Sequence, residues 1–315
     1  MSATAVPAPI RCGLIGVDSP HAPSFTHLFG NGFDGVVPGG TVTHAWKGVP
    51  ASDFPLSLDR NDDFAAQVAS MGVALCDSPE EVANACDALL IVASDARTHP
   101  EYFTRVAEYG KPVYVDTRFA PTLAEARAML SLADAAGTLV LAGSPKRFTP
   151  GFLAASHEPV RRVVLNGPLP EQPGHPGFSW YGVHLVDLAV AALGPGAVAE
   201  GATVDARSSG PSTILWADGR EAVLDGEREW SPVTSGQLGS GSDGKVFSLE
   251  AGPSMLTGLL EGIVHAVRTG KPTIPSAEIL DIVALVEALN LSLRAGGPVS
   301  VHSNRLTTLH PEGTQ

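Results

Sequence analysis

The residues of this 315-residue chain best suited to chemistry fall in two stretches. The first is Trp180-Tyr181-x-x-His184-x-x-Asp187, at the head of an apolar run that reads as an amphipathic helix from Tyr181 to Leu193. An imidazole exchanges a proton near neutral pH, so His184 is the leading general acid/base. Asp187 follows three residues later and shares its helix face, where a carboxylate can orient the ring or meet a substrate hydroxyl. Trp180 and Tyr181 supply a flat wall for a sugar ring or an apolar group, and Tyr181 is a second proton-handling candidate. The competing reading of His184 is a helix-start histidine satisfied inside the core. The second stretch is Lys146-Arg147, just after the last of a series of strands, where parallel strands end and ligands collect. With Arg118, these cations suit an anionic or carboxylate-bearing substrate. Arg147 also has a plainer reading, an ion pair with an acidic group at the domain junction. A metal site made of His175, His184 and Asp187 matches no usual ligand spacing, and none is expected.

The elements that must position these groups start from Arg11 to His21, RCGLIGVDSPH. Ile10, Cys12, Leu14, Ile15 and Val17 form the nearly continuous apolar run of a parallel strand covered on both faces. Ser19 can cap the helix that follows, and Pro20 fits its first turn, where no N–H is needed. Dinucleotide-binding domains carry G-x-G-x-x-G at this turn. Counted from Gly16, the second glycine is Asp18 and the third is His21. The frame of a nucleotide site is therefore present with two of its three glycines replaced. A carboxylate at position 18 repels a diphosphate, unless it turns outward and merely offsets the helix dipole. Trp46-Lys47 ends the second strand with no acid, which favours NADP over NAD if a cofactor binds; a solvated surface lysine is the alternative.

Strand and helix then alternate to about Ala142. A polar stretch reaches Asp63, with a short helix on to Met71. Capping boxes stand at Ser78-Pro79-Glu80-Glu81 and Thr122-x-x-Glu125, and ALLIVA (88–93) is a central strand. This pattern predicts an α/β class, with a Rossmann-type doubly wound parallel sheet over residues 1–143. From 144 to 315 the pattern changes to strand-like segments separated by turns, with two late apolar helices. That half reads as an α+β domain with an open, mainly antiparallel sheet. Its segment Thr213–Trp216 carries apolar groups outward, so a homodimer or homotetramer through this sheet is expected.

Composition bounds the partners. A formal charge of −13 argues against nucleic acid and anionic membrane surfaces. No run of 18 apolar residues occurs, so no membrane span is expected. MSATAVPAP shows no secretory signal, and Cys12, Cys76 and Cys86 are odd in number and in apolar surroundings. Reduced thiols and a cytoplasmic location follow as expectations.

The order of pieces resembles the Gfo/Idh/MocA family of two-domain oxidoreductases over nearly the whole length. The match rests on GLIGVDSPH, CDALLIVASDARTHPEYFTRVAEYGKPVYVD, GSPKRFTPGF, YGVHLVDLAVAALG and GIVHAVRTGKPTIPSAEILDIVALVEAL. The resemblance implies NAD(P) in the first domain, held through Gly13, Gly16, Asp18, Ser19, Lys47, Ser94, His99 and Asp116. It implies a sugar-like small molecule against the second domain's sheet, contacted by Arg118, Arg147 and Trp180. The family's Glu-Lys-Pro motif reads Asp116-Thr117-Arg118 here, so its lysine is Thr117, and Lys146 is the candidate replacement. The helix aspartate is Trp180, whereas His184 and Asp187 match. The implied function is NAD(P)-linked oxidation or reduction of a hydroxyl or carbonyl. The alternatives are a cofactor-independent lyase, isomerase or cyclase working through His184, or a non-catalytic ligand-binding protein.

Overall fold

The computed structural model describes residues 7–302 and 305–309. The first six residues, part of the stretch searched for a leader, lie outside the described residues. The chain forms two compact units. One comprises residues 1–116, 129–142 and 256–273, and the other residues 117–128, 143–255 and 274–315. The chain passes between the two units five times, after residues 116, 128, 142, 255 and 273. Residues 256–273 return to the first unit, where Thr273 Oγ1 bonds the carbonyl and amide of Ala142 at 2.6 and 2.9 Å.

In chain order the elements of the first stretch are β1 (Ile10–Ile15), α1 (His21–Phe29), β2 (Gly40–Trp46), α2 (Pro55–Ser70), β3 (Ala74–Leu75), α3 (Pro79–Ala85), β4 (Ala88–Ile91), α4 (His99–Ala107), β5 (Val113–Val115), α5 (Leu123–Ala136) and β6 (Val140–Leu141). The six strands pair in the order β3-β2-β1-β4-β5-β6, all parallel. β4 and β5 are buried along their whole length, as expected of strands covered on both faces. Both capping boxes form: the Glu81 amide donates to Ser78 Oγ and the Glu125 amide to Thr122 Oγ1, each at 3.2 Å. α2 is longer than expected, 16 residues. Its buried stripe is Ser57, Asn61, Ala65 and Val68, a helical spacing that two polar members hide from an apolar count.

The second stretch contains α6 (Pro150–Ala155), β7 (Arg162–Asn166), α7 (Gly182–Leu193), β8 (Ala202–Asp205), β9 (Ser212–Trp216), β10 (Glu221–Asp225), β11 (Val233–Leu238), β12 (Lys245–Glu250), α8 (Pro253–Thr269), α9 (Ser276–Ala295), β13 (Val299–His302) and β14 (Arg305–Thr308). Eight strands form one sheet in the order β12-β11-β7-β10-β9-β8-β13-β14, antiparallel except for the β7–β10 pair. α7 is not amphipathic but buried on nearly every side, with His184 among its few half-buried positions. Along β9, Ile214 and Trp216 point into the core, while Thr213 and Leu215 face outward. The outward row continues through Val223 and Val164, which lie in register with Thr213. No helix among the described residues is long and apolar enough to cross a membrane.

Candidate functional site

The first unit gathers its polar groups where β1, β4 and β5 end. Gly16 turns the chain with φ +75°, and a Cβ there would lie 2.6 Å from that of Ala93, so only glycine fits. Gly13 serves packing rather than a ligand: a Cβ would strike Val82 and Cys86 of the α3 region. Asp18 is buried and its Oδ1 accepts the amide of Ser94 at 2.8 Å, while Ser94 Oγ donates to the Asp18 carbonyl at 3.1 Å. Ser19 Oγ accepts the His21 amide at 3.2 Å. His21 Nδ1 lies 2.5 Å from Asp116 Oδ2, Tyr114 donates its hydroxyl to Asp116 Oδ1 at 2.9 Å, and Phe25 stacks on the imidazole. His99 is fully buried and its Nε2 bonds the Ala93 carbonyl at 2.8 Å.

Residues 47–53 cross this end of the sheet. Gly48 rests on Gly16, where a Cβ on Gly48 would come within 3.2 Å of the Gly16 Cα. The Tyr102 hydroxyl accepts the Val49 amide at 3.0 Å, and Arg97 holds Asp53 and Asp95 together. Lys47 reaches Asp62 at 2.7 Å rather than standing ready for an added phosphate. The crevice between Gly16, Asp18, Lys47, Asn61, Asp95 and Tyr102 leaves no room for a water-sized body.

A diphosphate needs open backbone amides and a positive helix start. Here the Gly16 amide donates to Trp46 O and the Val17 amide to Lys47 O. The Ala22 amide goes to Ser19 O, and Pro20 has none. The donor set left at the turn is two amides beside one carboxylate. These residues do not fit a dinucleotide diphosphate.

The second unit builds a different cluster, around the segment Ser144–Arg147 and the start of α7. His184 Nδ1 lies 2.7 Å from Ser144 Oγ, and the Ser144 amide donates to Asp187 Oδ2 at 3.0 Å. Asp187 therefore does not orient His184 directly. Ser144 does, and Asp187 fixes Ser144. The sequence offered no sign of this, because Ser144 lies 40 residues from His184 and is invisible to helical spacing. Burial raises the Asp187 carboxyl to about 6 against the opposing pull of Arg147. Arg147 pairs with Glu278 and lies 3.5 Å from Asp187, so acids of the protein balance its charge. Arg118 stacks its guanidinium 4.2 Å from the centre of the Trp180 ring and donates to the Trp180 carbonyl.

Lys146 is the outlier of the cluster. It is 4 % exposed, its Nζ donates to Thr234 Oγ1 at 2.6 Å, and it lies 5.8 Å from the Tyr181 ring centre. Tyr181 in turn meets His184 edge-on at 5.6 Å. Among the described residues no carboxylate pairs with Lys146, and burial lowers its ammonium to about 8. Among the described residues, no group of three or more His, Cys, Asp or Glu is arranged to hold a metal. Cys12, Cys76 and Cys86 are free thiols, Cys76 half-buried.

The family model for oxidoreductases with an NAD-binding Rossmann fold, Gfo/Idh/MocA, matches residues 35–144. Over that segment the chain is similar to the Gfo/Idh/MocA family. The matched part begins after the Gly16–His21 turn. An uncharacterized oxidoreductase of Escherichia coli K12, YhhX, is 32 % identical over 136 aligned positions, covering 36 % of this chain and 38 % of that one. The chain thus matches well under half the length of that curated relative. Among solved structures, a putative myo-inositol dehydrogenase from Sinorhizobium meliloti superposes with a TM-score of 0.72 at 17 % identity, covering 93 % of this chain and 99 % of that one. An oxidoreductase from Agrobacterium radiobacter, solved with NAD+, L-tartaric acid and magnesium, gives 0.70 at 17 % identity with the same coverage. These likenesses give the fold: a Rossmann-type parallel sheet and a second, mixed sheet.

Proposed function

We propose that this protein acts on a hydroxyl or carbonyl of a small polar molecule, sugar-like or carboxylate-bearing, by proton transfer at the Lys146–His184 cluster. The single observation that carries the reading is Lys146, a buried ammonium with no carboxylate partner among the described residues, brought down to about 8 by burial. A structural lysine would be paired or solvated. A lysine desolvated in this way is half neutral near working pH and can take a proton. It stands in for the lysine that the family motif places at Thr117. His184, aligned by Ser144, is the second proton-exchanging group, and Tyr181 lies between them. Arg118 and Trp180 form a stacked edge suited to a sugar face or a carboxylate.

Two readings of the overall reaction share this proton transfer. The family likeness favours nicotinamide-linked oxidation or reduction. The closed turn in the first unit favours a non-redox reaction, such as isomerisation or elimination, through the same residues. No NADP preference rests on Lys47, which is paired with Asp62. The sheet of the second unit, with Leu215 outward beside Val223 and Val164, supports a homodimer or homotetramer that light scattering would detect.

The test is a panel of polyols, sugars, sugar acids and hydroxy acids incubated with nucleotide-stripped protein in D2O. Exchange of a carbon-bound proton, followed by NMR, reports the proposed step. Parallel reactions with NAD+ or NADP+ follow absorbance of the reduced cofactor. Exchange without nucleotide that disappears in Lys146→Met supports the non-redox route, and turnover only with nucleotide supports the redox one. No exchange and no turnover across the panel, with a thermal shift from a panel compound, would leave the protein a binder.

A further inference from the structure

The part of this fold that receives a diphosphate is, in this chain, occupied by the chain's own groups. The Asp18 carboxylate accepts the Ser94 amide at 2.8 Å, with both residues buried. Ser94 returns a bond to the Asp18 carbonyl, so the ends of β1 and β4 are laced together from both sides. At the helix start, Pro20 removes one amide and Ser19 accepts that of His21. The His21 ring, at a glycine position, is tied to Asp116 at 2.5 Å and stacked on Phe25. Above them Gly48 rests on Gly16, held by the Tyr102 hydroxyl through Val49.

We propose that the Gly16–His21 turn is a built-in lock, in which Asp18 takes the place of the ligand anion and excludes diphosphate-linked dinucleotides. Three residues of the turn point the same way. Asp18 adds an acceptor and a negative group, Pro20 deletes a donor, and His21 adds a side chain bonded across to β5. A loop that had merely closed over an intact site would keep its glycines and its donors. Exclusion therefore belongs to the sequence of the turn and not to one position of residues 47–53. The proposal concerns the first unit alone and stands whether or not Lys146 and His184 carry the chemistry.

The experiment titrates the purified full-length protein with NADH and with NADPH, following cofactor fluorescence and heat. The unmodified protein should show no saturation up to about 1 mM of either nucleotide. Asp18→Asn keeps an oxygen for the Ser94 amide while removing the charge, and should gain less than about threefold in affinity. The combined variant Asp18→Gly, Pro20→Ala, His21→Gly restores space and donors together, and should gain at least about tenfold. Saturation of the unmodified protein at micromolar nucleotide would overturn the proposal, as would a folded triple variant with no gain. Should the triple variant fail to fold, the Ser94 amide of the unmodified protein decides by NMR and hydrogen exchange. Its resonance and protection should be untouched by NADH at millimolar concentration. A shift, or loss of protection, would show that nucleotide displaces Asp18, and the lock would be disproved.

Discussion

The turn at Gly16–His21 and the cluster around Lys146 are both built from polar residues at strand ends, and they treat those residues in opposite ways. In the turn, polar groups satisfy one another: Asp18 with Ser94, His21 with Asp116, Asp116 with Tyr114. Around Lys146 an ammonium is buried with one neutral hydroxyl and an aromatic face, and with no counter-ion among the described residues. Polar groups that close on each other contribute stability and fix the backbone. A charge held without a partner costs free energy that the fold recovers elsewhere, which is the usual mark of a group kept for a reaction. On the proposed reading, the first region serves structure and the second serves chemistry.

The sharpest way to break that comparison is Lys146→Met. If Lys146 exchanges the proton, turnover or proton exchange should fall by ~10³, within the range for a positioned acid/base, with little change in unfolding temperature. The pH profile carries the sign. A base active in its neutral form gains activity as pH rises through about 8, and that limb should vanish in the variant. A retained limb would move the role to His184 or Tyr181.

His184→Ala comes next, with an expected loss of at least ~10², and His184→Gln should restore binding but not rate. Ser144→Ala should give part of the same loss, because it frees the ring that Ser144 Oγ holds. Equal activity in His184→Ala and the unmodified protein would return His184 to its reading as a satisfied helix-start residue.

The same contrast explains how much was legible in the sequence. The parallel sheet was readable because β4 and β5 are apolar along their length, β1 is apolar but for Arg11, and their helices carry caps such as Ser78 and Thr122. α2 was cut short because Ser57 and Asn61 occupy its buried stripe. β11 is hard to read in the sequence, because only Thr234 and Leu238 of its six residues are buried and Gly236 interrupts it. At the sites, helical spacing brought out His184 and Asp187 but not Ser144, which bonds both. Ser144 and Thr234, which hold His184 and Lys146, come from distant segments, and no local spacing encodes such contacts. Asp18 and His21 stood out at once as departures at glycine positions. What they bond to, Ser94 and Asp116, required the strand order.

In the turn, Asp18→Ala should cost stability rather than rate. It leaves the Ser94 amide buried without its acceptor, a loss of roughly 1.5–3 kcal/mol for a hydrogen bond to a charged group. Denaturant unfolding measures this directly. A change below about 0.5 kcal/mol, the level of an ordinary surface substitution, would remove Asp18 from the list of structural groups.

A last test separates charge from hydrogen bonding at Asp187, a buried group with one oxygen bonded to the Ser144 amide and the other without a hydrogen bond. Burial raises its carboxyl from the ordinary value to about 6. The folded state therefore holds its proton more tightly than the unfolded chain does. Between about 4 and about 6 the folded protein binds more protons, so stability from this group is full below pH 4 and declines as pH rises to 6. Asp187→Asn keeps an oxygen for the Ser144 amide and removes the titration. Relative to the unmodified protein, the variant should gain stability as pH rises through that window, by on the order of 2 kcal/mol in total. Urea unfolding at pH 4.0, 5.0 and 6.5 would show the difference growing and then levelling. A difference that stays constant with pH would mean that Arg147 neutralises Asp187 fully in the folded state, and that the carboxylate is ionised throughout.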